Sequence, residues 1–160
     1  MEIVEVKVYK FEELSDSAKD TARQWFREGN EYFWWDDSLG SIKAFCNEFG
    51  IKIKNYEVGV WGNSYLDTDA ENHHFRGRKL SEFKRDYTPT GYCLDCTLWE
   101  TFLDTWKATA DPFGAFKEAI HVAVRDIVRD MEYQDSDEAV DEMLIVNQYD
   151  FDEDGRRFRY

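Results

Sequence analysis

The stretch from Asp111 to Tyr133 constrains the fold more than any other. Asp111 can cap a helix, and Pro112 suits its first turn because a proline's missing N–H is not needed there. Phe113, Phe116, Ile120, Ala123, Val124, Ile127, Val128 and Met131 then recur at three- and four-residue steps, one apolar face over about six turns. A face of that length must be covered, so the rest of the chain is expected to fold around it. The far end carries Asp126, Asp130 and Glu132, and from there to Asp154 nine more carboxylates follow. A core helix running out into an acidic surface is the main functional clue.

Elsewhere the patterns are shorter. Glu2 to Lys10 alternates, with Val4, Val6 and Val8 on one side, and predicts a half-buried strand. Ser15 caps a helix with Ala18, Ala22, Trp25 and Phe26 inward, ended by Gly29. A second helix is expected from about Tyr32 to Phe49, burying Trp34, Trp35, Leu39, Ile42, Phe45 and Phe49. The alternation from Ile51 slips phase at Asn55, which predicts a bulge in the first strand of a central hairpin whose second strand is Tyr65 to Asp69. A short helix is expected from Leu98 to about Lys107, and another from Asp137 to about Ile145, capped by Ser136. Asn147 to Tyr160 reads as a closing hairpin turning at Asp152-Glu153-Asp154-Gly155. At 160 residues the expectation is one α+β domain over residues 1–160: a small, mostly antiparallel sheet (N-terminal strand, central hairpin, C-terminal hairpin) packed with about five helices.

The net charge is −14. Self-repulsion of that size costs stability; solubility is one reason for it, and a basic partner is another. Apolar residues at 42% and aromatics at 17% exclude a disordered chain. No apolar run approaches the ~20 residues that span a bilayer, no signal peptide is legible at Met1–Glu5, and the charge opposes an anionic membrane surface. Three cysteines, an odd number, suit a reducing compartment, so cytoplasmic residence is expected.

No residues assemble into a catalytic motif. Asp150-Phe151-Asp152-Glu153-Asp154-Gly155 begins like an EF-hand loop but has neither the bidentate Glu nor an exit helix, so it reads as an aspartate-rich turn. Cys93-x-x-Cys96 has zinc-ligand spacing that His73 or His74 could complete. Adjacent histidines on a strand would point to opposite faces, however, and free thiols buried in a loop are preferred over a metal or redox role. His121 sits beside apolar neighbours without a nucleophile, so it reads as a boundary residue of the long helix. Neither an enzyme nor a resident cofactor or metal is expected.

The acidic surface is the stronger candidate. Its residues are Asp126, Asp130, Glu132, Asp135, Asp137, Glu138, Asp141, Glu142, Asp150, Asp152, Glu153 and Asp154. Asp126/Asp130, Asp137/Asp141 and Glu138/Glu142 are like-charge pairs four apart, which cost a helix a few tenths of a kcal/mol each. Asp137 and Glu138 are offset by the helix N-terminus, while Asp141 and Glu142 are expected to be uncompensated. Carboxylates spaced by one helical turn, about 5–6 Å, approach the phosphate spacing of a nucleic-acid strand. The basic segment Arg76 to Arg85 offers a further possibility, pairing with the acidic end of another copy.

Two stretches, Val8-Tyr9-Lys10-Phe11-Glu12-Glu13-Leu14-Ser15-Asp16-Ser17-Ala18-Lys19 and Pro89-Thr90-Gly91-Tyr92-Cys93-Leu94-Asp95-Cys96, carry a resemblance. They are similar to a group of small proteins encoded by phages, prophages and plasmids, some labelled antitoxins of toxin–antitoxin stability systems. The resemblance implies a mobile-element setting in a bacterial host cell and no catalytic residues. With the charge, it leads to the expectation of a non-enzymatic inhibitor of anti-CRISPR or antirestriction type. Its partner would be a basic nucleic-acid-handling protein, such as a CRISPR effector or restriction enzyme, bound through an acidic, nucleic-acid-mimicking surface. The alternative is an antitoxin that neutralises its toxin by protein contact. Direct nucleic-acid binding is disfavoured by the charge.

Overall fold

A computed structural model describes residue 3, residues 5–84 and residues 86–160. In chain order it places α1 (Asp16–Gly29), α2 (Trp35–Glu48), β1 (Ile53–Glu57), β2 (Tyr65–Thr68), α3 (Leu94–Thr109), α4 (Pro112–Gln134) and α5 (Asp137–Val146), with three short 3-10 turns. The class is α+β, dominated by helices, with one two-stranded antiparallel sheet among the described residues. None of these helices is long and apolar enough to cross a membrane. The chain, read as one domain from its sequence, divides into two compact units, Met1–Tyr32 with Glu132–Tyr160, and Phe33–Met131.

In the first unit, Ser15 and Ser136 start α1 and α5 as their sequences require, each hydroxyl accepting from the backbone N–H three residues on at 3.3 Å. Ala18 and Ala22 of α1 and Val140 and Leu144 of α5 close on Phe11, Leu14 and Phe151, with Trp25 and Tyr149 packed alongside. Gly155 fits only as glycine: its φ is +81°, and a Cβ there would stand 1.9 Å from the carbonyl oxygen of Ala18.

The expected N-terminal strand and C-terminal hairpin are reduced to isolated bridges, Tyr9 to Phe151 and Phe151 to Arg157. The alternation is not carried into burial: Glu5 and Lys7 are exposed along with Val6, and Val8 and Tyr9 are both half-buried. Val6 is 56% exposed, whereas Phe11 is buried and Tyr9 packs on the core. Aromatic rings bury more apolar area than valines, so Tyr9 and Phe11 anchor the segment. Glu2 and Val4 lie outside the described residues.

The second unit is an aromatic core. Phe45 of α2 stacks on Phe116 of α4 at 5.1 Å and meets Trp99 and Phe102 of α3 edge-on at 4.9 and 5.6 Å. The apolar stripe of α4 is buried at Phe116, Ile120, Ala123, Val124 and Ile127. β1 and β2 pair with a register shift between Ile53 and Asn55, where the sequence slips phase. Helix α2 is shorter than expected: Trp34 is 41% exposed, Trp35 and Leu39 are half-buried, and Ser38 and Ser41 are buried instead. Helix α3 begins at Leu94, four residues before the expected Leu98. Asp95 explains the early start, since its carboxylate holds the preceding loop.

Candidate functional site

The acidic residues fall in both units. Eighteen Asp and Glu stand against eight Lys and Arg in the first unit, a net −10 of the total −14. Asp126 and Asp130 belong to the second. There the Thr97 hydroxyl donates to Asp126 at 3.3 Å and Arg129 lies 3.9 Å from it, while Asp130 is near the Tyr92 hydroxyl.

Within the first unit, α1 corrects part of the charge reading. Arg23 clasps Asp141 with two parallel hydrogen bonds, Nε at 2.7 Å and Nη2 at 2.8 Å, and gives its third nitrogen to Asp20 at 2.8 Å. This fork geometry is the strong form of the pair, and it raises the Arg23 pKa further above its ordinary value. Arg27 donates to Asp137 and to the Asp135 carbonyl at 3.0 Å, and lies 3.7 Å from the Asp135 carboxylate. The hydrogen bond from Arg27 holds Asp137 below the usual carboxylate range. Asp141 is therefore compensated, contrary to expectation.

The C-terminal turn is likewise engaged. Asp150 accepts from Lys10 Nζ at 2.7 Å and from the Tyr160 hydroxyl at 3.0 Å, and the Lys10 bond chiefly depresses its pKa. Asp152 Oδ1 accepts from the N–H groups of Asp154 and Arg156 at 3.0 and 2.9 Å. Such bonds make an Asx-type turn, and the EF-hand likeness goes no further. The carboxylates that remain fully presented are Glu132, Glu138, Glu142, Glu153 and Asp154, all exposed. Only Asp154 has an ion-pair partner among the described residues, Arg156 at 4.0 Å. Glu138 and Glu142 lie one turn apart on α5, beside Met143 (45% exposed) and Val146 (75% exposed).

The other candidates resolve differently. His73 and His74 sit on a 3-10 turn rather than a strand, with ring centroids 4.1 Å apart. Among the described residues, no three His, Cys, Asp or Glu side chains are grouped to hold a metal ion. Of the basic segment, Arg78 is committed to its own unit: it bonds Glu48 and Glu82 and lies over the rings of Phe49 and Phe83 at 5.3 and 5.1 Å. Arg85 lies outside the described residues. His121 is exposed on the rim of a cleft of about 340 Å³ between β2 and α4, with Ser64, Asp67 and Lys117 also on its walls. The Ser64 hydroxyl is occupied in holding the Gly59 turn, donating to its carbonyl at 2.9 Å and accepting from its N–H at 3.1 Å.

The loop before α3 holds what sequence reasoning missed. Asp95 is fully buried, and its Oδ2 accepts from the Thr90 N–H, the Thr90 hydroxyl and the Gly91 N–H at 2.8, 2.8 and 3.0 Å. Thr90 in turn meets buried Ser41 at 3.1 Å. Cys93 and Cys96, expected as buried thiols, are exposed, and only Cys46 is buried. Comparison with protein-family models, curated proteins and solved structures found no match to this chain.

Proposed function

We propose that this chain is a non-enzymatic binding protein whose first unit docks a basic, nucleic-acid-handling partner through carboxylates on and beside α5. The observation that carries the reading is the sorting of charge on that helix. Arg23 and Arg27 neutralise Asp141 and Asp137 on the side facing α1, while Glu138 and Glu142, one turn apart, are exposed without an ion-pair partner among the described residues. Two like charges left at that spacing cost the helix a few tenths of a kcal/mol, a cost a cationic partner reverses. Glu132, Glu153 and Asp154 extend the acidic surface of the same unit. Restriction enzymes and CRISPR effectors present grooves of this kind, and the resemblance of residues 8–19 and 89–96 to mobile-element proteins supports that setting.

Met143, Val146 and Tyr133, all exposed, favour a second reading, an antitoxin gripping its toxin through an apolar contact. A pull-down from bacterial lysate at low salt, eluted by a salt gradient, separates the two. The mimic reading predicts a nucleic-acid-handling protein that elutes at moderate salt and is lost with Glu138→Gln/Glu142→Gln. A small partner retained at high salt by that same variant supports the antitoxin.

A further inference from the structure

Cys93 and Cys96 play no part in the acidic surface, yet the fold prepares them for a different chemistry. Cys93 is the N-cap of α3, and the N–H of Cys96 bonds the carbonyl of Cys93 at 3.2 Å. A bond from i+3 to i is the 3-10 pattern, in which residues three apart stand one above the other on the same face. One turn of that kind sets the two Cα atoms about 5–6 Å apart, inside the range of about 4.4–6.8 Å that disulfides span. Both side chains are exposed. The backbone between them is fixed from beneath, because Asp95, the residue before Cys96, is buried and takes three hydrogen bonds from Thr90 and Gly91. Ring stacking of Tyr92 on Trp34 at 6.2 Å holds the residue before Cys93 as well. A pair held this firmly loses little freedom on closing, so its effective concentration is high.

We propose that Cys93 and Cys96 form a reversible dithiol–disulfide site that reacts with low-molecular-weight disulfides of the glutathione class. The thiolate of one cysteine attacks a sulfur of the small disulfide, forming a mixed disulfide and releasing one small thiolate, which takes up a proton. The thiolate of the second cysteine attacks the protein sulfur of the mixed disulfide and expels the other small thiol. Two protein thiols are oxidised to one disulfide, and one small disulfide is reduced to two thiols. Cys46 stays out of the exchange: it is 1% exposed, and burial pushes its pKa up to about 12, leaving it protonated.

The test equilibrates the reduced full chain with glutathione buffers of rising oxidised fraction, followed by acid quench, alkylation and intact-mass and peptide analysis. The expected product is a species lighter by two hydrogens, its bond mapped between Cys93 and Cys96, with one alkylated cysteine, Cys46, after unfolding. Cys93→Ser and Cys96→Ser, both at exposed positions, should each accumulate a stable single-glutathione adduct that the parent chain does not retain. Two free exposed thiols in excess oxidised glutathione, or mixed disulfides that persist equally in parent and variants, would overturn the proposal.

Discussion

At the scale of single residues, two positions carry obligations out of proportion to their size. Gly155 approaches α1 so closely that a methyl group has no room, and its positive φ adds strain for any other residue. Gly155→Ala is expected to destabilise the first unit by more than ~2 kcal/mol, read as a lower urea midpoint. Asp95 takes three hydrogen bonds, so Asp95→Ala removes the acceptor of the Thr90 N–H and hydroxyl and leaves the Gly91 N–H only the Thr88 carbonyl at 3.2 Å. The expected loss is about 2–4 kcal/mol, whereas Asp95→Asn, which keeps a carbonyl oxygen, should lose less on the same denaturation measurement. Neither role was legible beforehand. The sequence presents Asp95 as an ordinary first-turn acid, and nothing local to Gly155 announces that Ala18, far away in the chain, fills the space a side chain would need.

Elements show where sequence reasoning succeeds. Ser15, Asp111 and Ser136 cap their helices because a cap is a contact over three residues, visible in the string itself. The bulge near Asn55 was visible as a slip of phase. The N-terminal segment departs from its alternation because Glu5, Val6 and Lys7 are all exposed and the chain is anchored only from Val8 onward, chiefly by the rings of Tyr9 and Phe11. The pairing of α1 with α5 joins Arg23 to Asp141 across more than a hundred residues, a distance no periodicity reports. Arg23→Gln should therefore weaken the first unit by about 1–2 kcal/mol, since the bidentate pair is strong but partly wetted. Glu138→Gln/Glu142→Gln should leave it unchanged or stabler by a few tenths of a kcal/mol, in the same urea titration. Acid should act through the paired carboxylates. Asp137 and Asp150 have folded pKa values below the ordinary 3.8, so the unfolded chain binds protons first as pH falls. The stabilisation they give is complete above that value and is lost as pH drops through the folded values. Arg27→Gln should flatten this decline in urea midpoints measured from pH 5 to pH 3.

For the whole molecule, the distribution of charge matters more than its amount. Ten of the fourteen net negative charges lie in the unit built from the two ends of the chain, and the arginines of α1 divide them into a neutralised set and a presented set. A surface that stands in for nucleic acid must share its counterion behaviour and must exclude nucleic acid from the same groove. The decisive measurement is competition: the captured partner is titrated with duplex DNA or single-stranded RNA while its occupancy by this chain is followed. Mutual displacement is expected, weakening steeply with salt and reduced by Glu138→Gln/Glu142→Gln. Simultaneous binding of the chain and nucleic acid to the partner, with no change in either affinity, would contradict it.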